Sequence, residues 1–231
     1  MKAAGPVHYR DAIGNDAGGR VAVIVGAGGA MGRALAAVLA SQGVKLVLAD
    51  ADPEALEQVT DELGGAGVDV HANVLAMVCD VRRRAHVEEL ADAAMIRFHG
   101  VHVLVNGAPS RLPSPPSGAA WELDESDWDA ALGTSLQGAV NAVRAFTPLM
   151  LACAARDAGY RGHIVNVLPQ AGNAGSAVAA QGILALSDAL ESDLRRAGAP
   201  IGVAVLRPDG TPGALAEGVL AALAPIARVG S

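Results

Sequence analysis

Six apolar runs recur along the chain, each too short for a helix: "VAVIVG" (21–26), "KLVLAD" (45–50), "VLAMVCD" (74–80), "VHVLVN" (101–106), "HIVNVL" (163–168) and "IGVAVL" (201–206). Their hydrophobicity is continuous rather than alternating, as expected of strands covered on both faces in a parallel sheet. Helix-length segments separate them, near 31–42, 53–63, 84–98, 126–157, 176–197 and 213–224. This alternation predicts an α/β fold, a doubly wound parallel sheet with helices on both faces. Punctuation agrees with the parse. Asp52 stands where it can cap a helix opening at Pro53, Ser126 is the expected cap of the helix after it, and Gly43 and Gly198 sit where helices should stop. Residues 1–19 read as a loose leader, 20–231 as one domain, and "SRLPSPPSG" (110–118) as a Pro-rich loop after the fourth strand.

Composition narrows the picture. The 231 residues are 52% hydrophobic but only 3% aromatic, with 28 glycines, so the core must be built from small aliphatic side chains in close contact. A net charge of −7 disfavours a phosphate-backbone binder, and no nucleic-acid partner is expected. The one basic cluster, Arg82 to Arg84, is followed by Glu88 and Glu89 and reads as the start of a solvated helix. Cys79 and Cys153 lie in apolar runs without ligand spacing, which fits buried, reduced thiols. The charged, Gly-containing N-terminus lacks the apolar stretch of a signal peptide, and Pro169 and Asn173 interrupt the charge-poor run from Ile164. The expectation is a soluble, cytoplasmic protein without a membrane partner.

The turn after the first strand, "VIVGAGGAMGRALA", is Gly-rich and opens a helix. Glycines there let backbone amides approach a pyrophosphate, and the helix N-terminus supplies partial positive charge. Tight packing explains such glycines equally well. Asp50 ends the second strand 18 residues beyond Gly32, where a carboxylate accepts both ribose hydroxyls and repels a 2′-phosphate, favouring NAD over NADP. The same Asp50 can also serve the helix start before Pro53.

With these residues in view, the sequence resembles the short-chain dehydrogenase/reductase family from about Arg20 to Gly210, and again in the final helix. Gly26, Ala30 and Gly32 fall on the family's TGxxxGxG turn, with Val25 at the Thr and Ala30 replacing the middle Gly. "CDV" (79–81) matches the segment whose Asp contacts adenine, and "VLVNGAP" (103–109) stands on the NNAG segment with Asn106 as its first Asn. "GHIVNV" (162–167), "AQGILALSDALESDL" (180–194) and "VAVLRPDG" (203–210) resemble the fifth strand, the long helix after it and the sixth strand with its turn. The resemblance implies a Rossmann-like sheet of six or seven strands. It also implies a candidate NAD site at Gly26, Gly28, Met31, Gly32, Asp50, Asp80, Val81 and Asn106. Asp50, Asp80 and Asn106 speak for dinucleotide binding; Ala30, which narrows the turn, speaks against it.

Family members move a proton with a Tyr, assisted by a Lys four residues later, a Ser near the end of the fifth strand and an Asn on the preceding helix. A phenol of ordinary pKa near ~10 acts near neutrality only beside a cation that lowers it. Aligned residue by residue, this chain has Ser135 at the Asn, Pro169 at the Ser, Ser176 at the Tyr and Ala180 at the Lys. Ala180 also removes the ammonium that anchors the cofactor ribose. The only tyrosines are Tyr9 and Tyr160 and the only lysines Lys2 and Lys45, so no Tyr-x-x-x-Lys exists in any alignment. No catalytic residue is assigned. His163 begins the fifth strand, at the end opposite such a site, and reads as a surface residue. His99 and His102 flank a turn without a nearby Cys or carboxylate, so no metal site is expected. Arg207 and Asp209 sit at the correct end of the sixth strand to meet a ligand or to close the turn. Ser176 reads as a helix cap rather than a nucleophile.

Between the sixth strand and the last helix the family carries a substrate-covering segment, yet here only "DGTPG" (209–213) intervenes. "GAVNAVRAFTPLMLACAA" (138–155) and "GSAVAAQGILALSDAL" (175–190) keep the small and apolar character of the helices that pack between subunits in the family. The resemblance therefore implies a catalytically incompetent subunit that assembles with an active paralogue in a hetero-oligomer, as a heterotetramer, or with itself. Heteromeric dehydrogenases of one active and one inactive subunit occur in the family, including in anaerobic aromatic degradation through CoA thioesters. The alternatives are an NAD(P)-dependent oxidoreductase with non-standard catalytic groups and a dinucleotide-binding sensor.

Overall fold

A computed structural model describes residues 19–107, 119–170, 172–207 and 211–222. The expected leader, apart from Gly19, the Pro-rich loop and Asp209 lie outside the described residues. The order of elements is β1 (Val21–Val25), α1 (Ala30–Ser41), β2 (Lys45–Asp50), α2 (Pro53–Gly65), a one-turn α3 (Val70–Asn73), β3 (Val74–Val78), α4 (Arg84–Phe98) and β4 (Val103–Asn106). Then follow α5 (Glu125–Ala131), a π-helical segment (Leu132–Gln137), α6 (Gly138–Arg156), β5 (Gly162–Val167), α7 (Ala174–Arg196), β6 (Ile201–Leu206) and α8 (Pro212–Ala222).

All strand pairs are parallel, in the order β3-β2-β1-β4-β5-β6. The chain starts in the middle at β1, walks out to β3, and returns across β1 to lay down β4. That reversal opens a crevice beyond the C-terminal ends of β1 and β4, where open α/β sheets bind their ligands. Successive strand residues face opposite layers, and both layers are apolar. Ile24, Leu48 and Val105 pack against Leu35, Leu39, Val59 and Val219 of α1, α2 and α8. Val23, Val47, Leu104 and Ile164 pack against Leu90, Phe146, Met150 and Leu194 of α4, α6 and α7. Close approach makes up for the shortage of aromatic bulk. A Cβ on Gly32 would stand 2.6 Å from Ala27 Cα, so α1 rests directly on the end of β1.

The caps explain several boundaries. Asp52 accepts hydrogen bonds from the amides of Glu54 and Ala55, as expected. Gly43 and Gly198 end α1 and α7 at φ 79° and 64°. Ser126, by contrast, is not the cap of its helix. Asp124 takes that place: its carboxylate accepts from the Asp127 amide, the Asp127 carboxylate accepts from the Asp124 amide, and the Ser126 hydroxyl donates to Asp124. The single helix expected over 126–157 is broken by the π-helical segment. As one continuous run, Glu125–Arg156 is long and apolar enough to cross a membrane, and 44% of its most apolar window is buried in the domain. The third strand ends at Val78 rather than residue 80, because the Asp80 carboxylate accepts the Arg82 amide and bends the chain. The fourth begins at Val103 rather than 101, where His102 Nδ1 accepts the Val21 amide in place of a ladder carbonyl. The short α3, capped by Asp69, had no counterpart in the sequence reading.

Candidate functional site

The crevice is a cleft of about 290 Å³ lined by the ends of β1, β2, β4 and β5, by Cys79 to Arg82, and by Ala130, Thr134, Ser135, Gly138, Ala139 and Ile183. Five of the eight residues expected at a dinucleotide meet there: Gly26, Asp50, Asp80, Val81 and Asn106. The other three lie behind the wall. Gly28 donates its amide to Asp50 Oδ2 (3.0 Å). Met31 is buried with its Cε against Gly107, and Gly32 is spent on the contact of α1 with β1. These three shape the turn instead of lining the cleft.

Gly26 turns the chain at φ 77°, and the amides of Gly26 and Ala27 donate to Ala49 O (2.8 and 3.1 Å). No side chain caps α1, so the first amides of that helix keep their partial positive charge. Asp50, 4% exposed, also accepts the Asp52 amide (3.1 Å). Its carboxylate thus joins the glycine turn to the residue that caps α2, and the cap itself is Asp52 rather than Asp50.

Asp80 is held by Arg82 through two bonds, Nε to Oδ1 (2.9 Å) and Nη2 to Oδ2 (2.7 Å). That pairing keeps the Asp80 carboxyl below the usual carboxylate range. As expected, the exposed cluster leads into a solvated helix, α4 opening at Arg84; Arg82 lies two residues before it, with its stem over Gly133 of the π-helical segment, 3.4 Å from where a Cβ would stand. Asn141 of α6 fixes the same loop by donating to the carbonyls of Val81 (2.8 Å) and Arg82 (3.3 Å).

Beneath the cleft runs a buried polar chain that the sequence reading missed. Asn106 Nδ2 donates to Asn166 Oδ1 (2.7 Å), Asn166 Nδ2 to Ser187 Oγ (2.9 Å), and Ser187 Oγ to Ile183 O (2.7 Å). Asn106 and Asn166 are register partners on β4 and β5. Two amides level with each other in otherwise apolar strands were the available signal. Asn106 Oδ1 is buried and has no hydrogen-bond donor. A buried acceptor without a donor at a cleft wall fits a ligand hydroxyl or N–H.

On the opposite half of the cleft, Pro169 lines the wall and Thr134 and Ser135 supply hydroxyls from the π-helical segment. Ser176 is bound into the start of α7. Its hydroxyl accepts from the amides of Gly172 and Asn173 and donates to Asn173 O, while its amide donates to Asn173 Oδ1. Ala180 packs into a small apolar cluster with Leu136, Leu168, Ile183 and Val205. Cys79 lines the cleft as a thiol pushed up to about 11, chiefly by burial, so it is neither a thiolate nor a base at neutral pH. Cys153 is only partly buried. Among the described residues, no group of three His, Cys, Asp or Glu is arranged to hold a metal ion.

The remaining titratable candidates lie at the other end of the sheet. Tyr160 is buried with its hydroxyl on Val101 O (2.6 Å), and burial raises its pKa. Lys45 sits over the Phe98 ring. His163 is not a surface residue: it is 5% exposed, on a strand flanked by β4 and β6. Burial, helped by Arg20, lowers it to about 4. His102 stacks on Tyr160 and is likewise lowered to about 4, mainly by burial.

Comparison with known proteins fits this architecture. The family model for short chain dehydrogenases matches residues 20–219, and the chain belongs to that family. It is 31% identical over 206 residues to 1-deoxy-11-beta-hydroxypentalenate dehydrogenase of Streptomyces avermitilis, covering 87% of this chain and 72% of the relative. It is 30% identical over 184 residues to the (2S)-[(R)-hydroxy(phenyl)methyl]succinyl-CoA dehydrogenase subunit BbsD of Thauera aromatica, covering 78% and 68%. Of an uncharacterized oxidoreductase of Staphylococcus aureus, 30% identical over 148 residues (64% of this chain), the chain spans 57% of the length. A short chain dehydrogenase/reductase from Burkholderia phymatum, solved in complex with NAD, superposes with a TM-score of 0.71 at 37% identity, covering 82% of this chain and 65% of that one. A metagenomic short-chain oxidoreductase in complex with NADP gives 0.75 at 26% identity, covering 89% and 91%.

Proposed function

We propose that the chain is a non-catalytic subunit that assembles with, and stabilises or regulates, an active NAD-dependent short-chain dehydrogenase. The observation that carries this reading is the half of the cleft beyond Asn106: Pro169 on the wall, Ala180 in apolar packing, and Ser176 with its hydroxyl committed to a helix cap. None of these moves a proton near neutrality. General acid–base catalysis contributes about 10²- to 10⁴-fold, roughly 3 to 5.5 kcal/mol of barrier, and among the described residues nothing in that half of the cleft replaces it. One similar protein is by name a dehydrogenase subunit acting on a CoA thioester. A hydroxyacyl thioester in aromatic degradation is accordingly the substrate class proposed for the complex.

The assembly face proposed is that of α6 and α7. Between Ala177 and Ala189 the outward residues of α7 are Ala177, Val178, Gln181, Ala185, Asp188 and Ala189, of which four are small or apolar and allow close helix approach. A cytoplasmic heterotetramer is the form expected.

The base half of the cleft supports a second reading, a dinucleotide sensor. Asp50, the Asp80–Arg82 pair, the uncapped start of α1 and the Asn106 acceptor fit an adenosine and its phosphates. NAD is preferred over NADP because the Asp50 carboxylate repels a 2′-phosphate. When bound, a nicotinamide dinucleotide supplies hydride chemistry; these residues only bind and orient it.

The test is turnover by the purified chain alone, with NAD⁺ or NADH and a series of hydroxyacyl and ketoacyl thioesters. The proposal expects no rate above background. A rate that disappears in Ser135→Ala would show catalysis by the chain's own cleft and overturn the proposal.

A further inference from the structure

Where the chain leaves β3 and enters the cleft wall, one residue saturates its near neighbour. Arg82 gives Asp80 three donors: its amide (3.1 Å) and Nε (2.9 Å) to Oδ1, and Nη2 (2.7 Å) to Oδ2. A carboxylate offers about four acceptor positions. Little of Asp80 is left for anything entering the cleft, although both residues line it.

The backbone that carries this pair is held firmly, while one of its side chains is not. A Cβ on Gly138 would stand 2.7 Å from Val81 Cγ2, so Val81 is seated directly on the start of α6. Asn141 donates to the Val81 and Arg82 carbonyls, and Gln137 Nε2 donates to Asn141 Oδ1 (2.9 Å), which fixes that amide in turn. Asp80, on its short stem, is bound to follow the backbone. The Arg82 side chain is longer and 57% exposed, against 24% for Asp80. An exposed ion pair contributes little net stability, so the guanidinium can leave without disturbing the fold.

We propose that Arg82 gates the base end of the cleft: its guanidinium holds the acceptors of Asp80 and must swing away before the amine of an adenine can reach them. The inference rests on the nucleotide-binding reading of the cleft and adds to it a competitor built into the chain. An ionised carboxylate only accepts, so whatever replaces Arg82 must donate. On a purine that group is the exocyclic amine of adenine; hypoxanthine presents a carbonyl oxygen in its place. The gate lowers the apparent affinity by the fraction of molecules in which the pair is open. Asp80 therefore adds little to binding while Arg82 is present, and much more once it is removed.

The experiment titrates adenosine and inosine into the purified full chain, followed by NMR. Both probes are uncharged, so losing the Arg82 charge does not act on them at a distance. The variants are Arg82→Met, Arg82→Lys, Asp80→Asn and the double variant Arg82→Met with Asp80→Asn, each checked for an unchanged fold by its melting temperature. Methionine keeps an unbranched stem over Gly133 and donates nothing; lysine keeps the charge but cannot bridge two oxygens, and it carries the test if the methionine variant is unstable. The expected result is about fivefold tighter adenosine binding in Arg82→Met, a smaller gain in Arg82→Lys, none for inosine, little change in Asp80→Asn alone, and loss of the gain in the double variant. In the wild type the Arg82 Nε–H signal should move as adenosine is added. The gate is overturned if neither Arg82 variant binds adenosine more tightly than the wild type, undetectable binding throughout included, or if the gain is equal for inosine or survives Asp80→Asn. NADH titrated in parallel separates the two levels: if it binds the wild type, only the gate falls, and if it does not, the nucleotide-binding reading falls with it.

Discussion

The two buried histidines give the clearest residue-level consequence. His102 and His163 are held neutral, at about 4 against an ordinary 6.5, by burial and by the nearby Arg20; Asp157 opposes this only at His102. Below pH 6.5 the unfolded chain therefore binds protons that the folded chain refuses, so stability falls as pH drops from 6.5 toward 4 and levels off below. Each shift corresponds to about 3 kcal/mol. Urea unfolding from pH 7 to 4 should show this loss, and His163→Gln should remove about half of its pH dependence. A second consequence follows from Gly32. Ala there would drive a methyl into the Ala27 backbone, costing about 1 to 3 kcal/mol and lowering the melting temperature by roughly 2 to 12 °C. At this scale the sequence showed residue types but not their partners. Asp50 was legible as a cleft residue from its place at the end of an apolar strand, and Asp80 and Asn106 from the family resemblance of their segments. The capture of Asp80 by Arg82 and the Asn106–Asn166–Ser187 chain depend on side-chain directions that one-dimensional spacing does not contain.

Among the elements, strands and helices were legible wherever a continuous apolar run or a strong cap marks them. The parse lost detail where a side chain substitutes for backbone, as at His102 and Asp80, and where one long apolar pattern hides a change of helix type. The π-helical segment is that case. It keeps helical periodicity closely enough to read as an unbroken helix, yet it turns Thr134 and Ser135 into the cleft. The capping box before it yields a discriminating prediction. Asp124→Ala should destabilise the helix and speed amide exchange through Glu125–Gln137, whereas Ser126→Ala, which removes only a bond to the cap, should have a much smaller effect. Equal effects would return the cap to Ser126.

For the molecule as a whole, the doubly wound parallel sheet was legible because alternating strands and helices leave few alternatives, and the structure adds the strand order with its reversal at β1 and β4. The cleft follows from that reversal. What fills it chemically is a separate matter, and the base half and the other half have diverged. One retains a carboxylate, an uncapped helix start and a buried acceptor; the other presents proline, alanine and a committed serine. Such a chain is expected to bind NADH or its adenosine half, readable as tryptophan-independent quenching of the NADH emission, without oxidising it. Asp50→Asn should weaken that binding about tenfold while Asp80→Asn weakens it less, because Arg82 already neutralises Asp80. The central claim, however, is assembly. Its most direct test is the mass and composition of the complex isolated under mild conditions from the native host. The account predicts a stoichiometric companion of the same family carrying an intact Ser-Tyr-Lys set, in equal copy number with this chain. A complex containing only this chain, with no such companion, would contradict it.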